Sequence, residues 1–233
     1  MCALRLGAVA VTALLMATPA FAQLDKDDIE QLRDAAAAVG EIRNVPDKGI
    51  PEAIWKKAEC VVVIPSLKKA GFIVGAEGGS GVLSCRQGAT WGAPVFMELT
   101  KGSFGLQAGV QATQLVLVIM NRRGLEKLLS NKVTLGTDAS VAAGPVGRTA
   151  SAATDAQMTA EMLSYSRSKG LFAGIDLSGG SLRPDKDANI RAYGAGAVPR
   201  DIALGTARVT VPPEGRAFRD ALGRDVRGTS GVK

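Results

Sequence analysis

Two stretches near the start of the chain have the spacing of amphipathic helices. From residue 24 to residue 39 the apolar positions recur at helical spacing, which places them on one face of a helix. These positions are Leu24, Ile29, Leu32, Ala35, Ala36 and Val39. The polar face is acidic, with Asp25, Asp27, Asp28, Glu30 and Asp34 against Lys26 and Arg33. A second helix is predicted from Pro51 through Trp55 to about Ala58, because proline suits the first turn of a helix.

From residue 60 onward the pattern changes to short β-branched runs that are interrupted by glycine and proline. Residues 60–64 are predicted to form a strand that ends at Pro65, and the glycine-rich residues 78–81 are predicted to separate two strands. Further strands are predicted at 71–74, 82–85, 95–99, 104–114, 115–120, 132–135, 140–143, 161–166 and 171–177. Later helices are predicted at 125–129, 187–193 and 214–222. The pattern is typical of an α+β fold, with N-terminal helices packed on a twisted, mostly antiparallel β-sandwich or barrel-like sheet.

The composition limits the chemistry that the chain can perform. Of its 233 residues 46% are hydrophobic and 21% charged, so it can bury a core, and it contains no histidine. Ser-His-Asp and Cys-His catalysis and histidine-bearing metal sites are therefore excluded. The chain also lacks the phosphate-loop pattern GxxxxGK[ST] and the nucleophile elbow GxSxG. We predict a protein that is not an enzyme and that needs neither a cofactor nor a metal.

The first 22 residues have the pattern of a bacterial signal peptide. Arg5 precedes a short apolar run, and a small-residue motif then predicts cleavage between Ala22 and Gln23. The protein is therefore expected to be periplasmic or secreted. Cys60 and Cys85 remain in the mature chain; in an oxidising compartment they form a candidate disulfide, and two buried free thiols are the alternative.

Basic residues are the clearest sign of a binding function. The formal net charge is +6, and it falls to +5 without the leader because Arg5 is its only charged residue. Lysine clusters beside exposed apolar groups such as Ile54 or Trp55 would suit an anionic membrane surface, whereas an ordinary solvated face is the alternative. The candidate lipid-binding residues are Lys56, Lys57, Lys68 and Lys69. No nucleic acid is predicted as a partner, because the pattern contains no reading helix or stacking platform.

Two smaller motifs have competing interpretations. Gly105 and Gly109 lie four residues apart in a strand-like stretch, where they would face the same side and form a ligand groove, or else mark a bulge. The stretch that begins at Asp185 imitates the start of a calcium loop, but Ile190 and Gly196 occupy the positions of its glycine and glutamate. Asp185 is instead predicted to cap a helix.

An ordered series of short motifs resembles the SYLF domain family. The matching blocks lie at 69–72, 79–83, 91–94, 102–111, 136–148, 165–174 and 189–194. The resemblance implies a lipid-binding domain without catalytic residues, whose eukaryotic members bind phosphoinositides and, in fungi, actin filaments. It places phosphate contacts first at Lys68 and Lys69. The family's N-terminal helix is the expected lipid contact, but here that helix is acidic and an anionic surface would repel it.

These observations lead to one division of the chain and one function. We expect a signal peptide at 1–22, an N-terminal helix and linker at 23–49, a SYLF-like domain at 50–205, and a C-terminal helix with a polar tail at 206–233. The predicted function is that of a non-enzymatic envelope protein that binds anionic phospholipid or phosphoinositide headgroups. The alternative is a protein-interaction module that binds an envelope partner or actin filaments.

Overall fold

The structure, a computed structural model, describes residues 24–43, 49–71, 74–104, 113–130, 132–146, 159–168 and 171–224. Its helices are α1 Lys26–Arg43, α2 Glu52–Lys57, α3 Arg122–Leu128, α4 Lys186–Tyr193, α5 Pro199–Leu204 and α6 Pro213–Gly223. Its strands are β1 Cys60–Gly71, β2 Val74–Gln87, β3 Thr90–Trp91, β4 Val95–Phe104, β5 Thr113–Ile119, β6 Val133–Thr134, β7 Val141–Ala143, β8 Met162–Ser168, β9 Leu171–Gly174 and β10 Ser181–Pro184. Both element types occur throughout the described chain, which confirms the α+β prediction.

The strands form one curled sheet. Its order is β6-β10-β4-β2-β1-β5-β8-β7, while β3 pairs with β2 and β9 pairs with β8. The named strands pair antiparallel except β7 and β8, which are parallel. The strands at the two ends of this order, β6 and β7, are consecutive in the chain and are joined by only six residues. Six residues span little more than about 20 Å, so the sheet has to curl until its two ends come close.

Both faces of the sheet are buried, and each has its own core. On the inner face Val62, Leu83 and Leu117 pack with residues of α3 and α5. On the outer face Val61 and Phe96 pack under α1, α4 and α6. A strand that is covered on both faces needs apolar residues at every position, which explains the unbroken run at the start of β1.

The glycines of β2 make room for a bend in β1. We expected β1 to end at Pro65 and the glycines at 78–81 to separate two strands, and both predictions are wrong: β1 and β2 each continue through these positions. The register of β1 shifts just past Ile64, and a β-bulge tolerates a proline that cannot donate to the ladder. A methyl group on Gly79 would lie 2.7 Å from Ile64 Cγ2 and 2.8 Å from the Ser66 carbonyl oxygen. Glycine therefore lets the bent strand approach β2 closely.

The remaining elements follow their local signals, with three additions. The helices α1 to α4 and α6 and the strands β4 to β9 confirm predicted segments, although the segment 104–114 lies mostly outside the described residues. Asp185 caps α4 as expected, since its Oδ1 accepts a hydrogen bond from the Ala188 amide at 3.0 Å. The strands β3 and β10 and the helix α5 were not predicted.

Candidate anion-binding site

Two tryptophans meet where α2 and β3 reach the same end of the sheet. The ring centroids of Trp55 and Trp91 are 6.3 Å apart, and the planes are tilted by 53°. Both residues are buried, and Trp55 Nε1 donates a hydrogen bond to the Leu222 carbonyl at 3.3 Å. Trp55 therefore anchors α2 to α6. This corrects the expectation that Trp55 is an exposed apolar group beside the lysines.

One arginine packs against each ring of this tryptophan pair. The Arg43 guanidinium lies 4.7 Å from the centroid of the Trp55 ring, and that of Arg86 lies 4.5 Å from the centroid of Trp91. Each such contact contributes about 0.5–2 kcal/mol, depending on its exposure to water. Arg86 also donates hydrogen bonds to the Trp55 and Ala58 carbonyls, both at 3.2 Å. These two arginines fix the positions of the rings and of the end of α2.

An open cleft of about 370 Å³ lies next to Trp91. Its lining is Ala89, Thr90, Trp91, Arg219, Asp220, Gly223 and Arg224, and we call it the arginine cleft. Arg219 donates from Nε to the Trp91 carbonyl at 2.6 Å, an anchor that leaves its two terminal nitrogens for other acceptors. Asp220 is the one carboxylate in this lining. The cleft thus offers guanidinium donors, which match phosphate and carboxylate groups.

The cleft lies within a wider basic surface. Lys56 and Lys57 are exposed in the last turn of α2, directly after Trp55. Six basic residues gather at this end of the sheet: Arg43, Lys56, Lys57, Arg86, Arg219 and Arg224. The same elements also carry carboxylates, but Glu52 pairs with Arg43 at 3.8 Å and Glu41 pairs with Arg167. In the lining of the cleft itself, Arg219 and Arg224 lie beside the single carboxylate of Asp220. Positive charge is therefore in excess around the cleft.

The structure separates the four predicted lysines into two places. Lys68 is exposed and pairs with Gly78 of β2, and Lys69 is in register with Glu77. Lys68 follows Cys60 by eight positions in β1, which corresponds to about 26 Å along a strand. Lys56 and Lys57 therefore share the tryptophan end of the sheet, whereas Lys68 and Lys69 lie toward the other end of β1. The contribution of either pair to binding stays a prediction.

The other predicted site residues have different outcomes. Cys60 and Cys85 face each other across β1 and β2 with Cα atoms 4.0 Å apart, and they form the disulfide. Gly105, Gly109, Ala22 and Gln23 lie outside the described residues. Across the described chain, no three His, Cys, Asp or Glu side chains cluster in a way that could hold a metal ion. None of the helices within those residues has the length and apolar character needed to cross a membrane.

Two buried carboxylates that the sequence interpretation missed are paired with cations. Asp28 was assigned to the solvated acidic face of the first helix, yet it is 3% exposed. Its two oxygens accept hydrogen bonds from Arg191 at 2.6 and 2.8 Å, which ties α1 to α4. Glu161 accepts from Lys127 Nζ at 2.8 Å and from the Ser140 amide at 2.9 Å. Burial alone would raise the pKa of Glu161, but these hydrogen bonds and the nearby cations lower it.

Fold and site together define a class of protein: an α+β domain with a curled sheet and a cationic surface cleft that is suited to holding an anion. A family of sequences described as Ysc84, Las17-binding protein actin regulator, matches residues 100–225. This match covers more than half of the chain, and the chain belongs to that family, which confirms the resemblance. The family is described as a regulator, so membership assigns no catalytic activity.

Individual relatives come from yeast and vertebrates. Protein YSC84 of Saccharomyces cerevisiae is 35% identical over 171 residues, which is 72% of this chain and 36% of that protein. SH3 domain-containing YSC84-like protein 1 of Xenopus laevis is 36% identical over 154 residues, 65% of this chain and 46% of its own length. The Bos taurus protein of the same name is 33% identical over 182 residues, 77% and 52% respectively. The chain thus spans between about a third and a half of these relatives.

Proposed function

We propose that this chain is a non-enzymatic binding domain that docks through the arginine cleft and Lys56 and Lys57 onto anionic phospholipid or phosphoinositide headgroups. The observation that carries the proposal is the group of basic side chains around the buried tryptophan pair, beside an open cleft. A lysine or arginine close to an anionic bilayer contributes about 1 kcal/mol, so Lys56, Lys57, Arg219 and Arg224 together would supply roughly 4 kcal/mol.

The acidic first helix does not oppose this orientation. Arg43 at the end of α1 stacks on Trp55, so α1 approaches the site with its C-terminus. The acid of α1 nearest to Arg43 is Glu41, and its carboxylate pairs with Arg167. Asp34 is the nearest of the five acids predicted on the polar face, and it lies nine residues from Arg43, about 14 Å along the axis. That distance exceeds the Debye length of about 8 Å at physiological ionic strength. The repulsion expected from the sequence is therefore largely screened at the membrane-facing end.

The test is cosedimentation of the full chain with vesicles. Neutral phosphatidylcholine vesicles are compared with vesicles that contain phosphatidylglycerol or a phosphoinositide, across a salt series. We expect binding only with anionic lipid, and a decline as salt increases. Arg219→Glu combined with Arg224→Glu should abolish binding, and Lys56→Glu with Lys57→Glu should weaken it strongly.

Matched variants distinguish the two ends of β1. The pair Lys132→Glu and Arg208→Glu changes the net charge by the same amount at exposed positions elsewhere, and it should bind like the wild type. If Lys68→Glu with Lys69→Glu abolishes binding and the cleft pair does not, the lipid site lies at the other end of the sheet. Absence of sedimentation with every vesicle and salt concentration would exclude lipid binding.

Protein interaction is the second candidate function. The family is described as a Las17-binding actin regulator, and a Saccharomyces cerevisiae relative that is 36% identical is named LAS seventeen-binding protein 3. Since the chain matches about a third of that protein, the partner is carried over only as a proposal. Cosedimentation of the chain with actin filaments, in the absence of lipid, tests it. Saturable binding that the cleft variants leave unchanged would favour this second function.

Export to the periplasm or medium completes the proposal. The leader pattern at residues 1–22 and the Cys60–Cys85 disulfide support it, because disulfides persist mainly in oxidising compartments. Mass spectrometry of the protein purified from its native host should give a mature N-terminus at Gln23. A cytosolic protein that still begins at Met1 would contradict export.

A further inference from the structure

A second surface, which shares no lining residue with the arginine cleft, has a largely apolar lining. A groove of about 220 Å³ lies where the end of α3 meets α4 and the start of α5, and its apolar lining includes Leu129, Pro184, Ile190 and Val198. Ile190 is 43% and Val198 48% exposed. Of the three large hydrophobic residues that are exposed in the described part of the chain, two therefore line this one groove. We call it the α4–α5 groove.

The exposure of Ile190 is not an accident of a frayed helix end. In α4 the buried residues Ala188, Asn189 and Ala192 face the sheet, so Ile190 occupies the solvent side, where a polar residue is the usual choice. Lys186 lies four residues before Ile190 and so shares its side of the helix. One face of α4 thus presents an aliphatic side chain and an ammonium group next to each other.

The charged groups in the groove are both positive. Lys186 and Arg200 line it, without a carboxylate among the lining residues. Neither makes an ion pair with another residue of the described chain, whereas Asn189 is already committed through hydrogen bonds to the Phe96 backbone at 2.9 and 3.1 Å. The unsatisfied polar groups of this surface are therefore cations beside an apolar depression.

From this combination we infer that the α4–α5 groove docks a peptide segment of a partner protein, in which a large apolar side chain is flanked by carboxylates. The volume is below the roughly 300 Å³ at which pockets for small molecules begin, so it suits one or two inserted side chains. The apolar side chain would cover Ile190 and Val198, and the carboxylates would pair with Lys186 and Arg200. This surface shares no lining residue with the arginine cleft.

The probe is a fluorescein-labelled peptide, Asp-Glu-Leu-Phe-Glu-Asp, titrated with the full chain and followed by fluorescence anisotropy. A contact of this size should bind with a Kd on the order of 100 μM. The matched peptide, in which lysines replace all four acidic residues, should bind at least tenfold more weakly. Ile190→Ser and Lys186→Glu should each weaken binding of the acidic peptide at least fivefold.

Control variants locate the effect. Leu171→Ser removes a still more exposed hydrophobic side chain, 71% exposed, and Arg208→Glu reverses an exposed charge elsewhere; both should bind like the wild type. Circular dichroism melting of each variant verifies folding. The inference is overturned if the peptides bind equally, if neither binds at 1 mM chain (~10 times the expected Kd), or if Ile190→Ser has no effect. It is also overturned if Arg219→Glu with Arg224→Glu abolishes binding, since the peptide would then occupy the arginine cleft.

Discussion

Replacing Gly79 by alanine should destabilise the sheet where β1 bends over β2. The new methyl carbon would lie 2.7 Å from Ile64 Cγ2 and 2.8 Å from the Ser66 carbonyl oxygen, where ordinary contacts begin near 3.4 Å. The Ile64 side chain is completely buried, and the carbonyl belongs to the backbone of the bulge, so neither can move away cheaply. Overpacking of this kind costs about 1–3 kcal/mol.

A smaller opposing effect reduces that cost. Alanine has fewer conformations than glycine in the unfolded chain, which stabilises the folded state by about 0.4–1 kcal/mol when the native backbone permits the substitution. We therefore expect Gly79→Ala to lower the free energy of unfolding by roughly 1–2 kcal/mol. Guanidinium unfolding of the disulfide-intact chain, followed by circular dichroism, measures it as a lower midpoint at an unchanged slope.

The neighbouring glycine supplies the control. A methyl group on Gly78 would have the Leu99 carbonyl oxygen as its nearest neighbour, at 3.6 Å, which is an ordinary contact. Gly78→Ala should therefore remain within about 0.5 kcal/mol of the wild type. If the two variants unfold at the same midpoint, close approach of the bulge is not the reason for glycine at position 79.

Three further predictions concern buried polar groups. Tyr165 is buried, its hydroxyl has no hydrogen-bond partner in the described chain, and burial raises its pKa. Tyr165→Phe should therefore stabilise the fold by about 1 kcal/mol at pH 7, because it removes an unpaired buried hydroxyl. It should also reduce the loss of stability above about pH 10, the pKa of tyrosine in the unfolded chain, and unfolding measured at pH 7 and pH 11 tests both effects. Asp28→Asn breaks the paired hydrogen bonds to Arg191 and should cost about 2 kcal/mol in chemical unfolding, whereas no change would contradict that pairing. The pKa of Glu161 is lower in the folded chain than its ordinary value of 4.5, so this carboxylate contributes stability above about pH 4.5 that is lost in acid. Glu161→Gln should therefore make stability depend less on pH below about pH 4.5, and melting temperatures measured across an acid titration test this.

Local sequence patterns were sufficient to predict the helices and strands whose backbone is not altered by packing against a neighbouring element. The helical spacing of Leu32, Ala35 and Val39 predicts α1, and the apolar run at 60–64 predicts the buried start of β1. Pro65 and the glycines at 78–81 misled the interpretation, because each normally ends a strand. Here the glycines of β2 make room for the bend at Pro65 in β1, so both strands continue. That arrangement depends on a register shift between two strands, which the local sequence of either strand does not contain.

The missed elements differ in how much signal they offered. The helix α5 begins at Pro199 and ends before Gly205 in the left-handed conformation, so its boundary signals were present in the sequence. The strand β10 is four residues long and contains Pro184, which speaks against a strand. It is stabilised by pairing with β4 and β6, and the periodicity of its own residues carries no information about these partners.

Only part of the candidate site could be predicted from the sequence. Lys56 and Lys57 are adjacent in the sequence, so the distribution of charge along the chain is enough to identify them. The arginine cleft depends on Arg219 reaching the Trp91 carbonyl across 128 residues of chain. Only tertiary structure brings these groups together, and the same structure separates Lys68 and Lys69 from them.

The packing of α1 against α6 has a consequence for synthesis of the chain. Arg43 donates a hydrogen bond to the Arg224 carbonyl, and Arg33 pairs with Glu214 at 3.2 Å; each contact spans 181 residues. At translation rates of about 5–20 residues per second, α1 waits roughly 10–40 s for this partner. During that interval Phe218 does not yet cover the apolar face of α1. A ribosome that stalled before α6 would therefore expose a hydrophobic helix surface of the kind that chaperones bind.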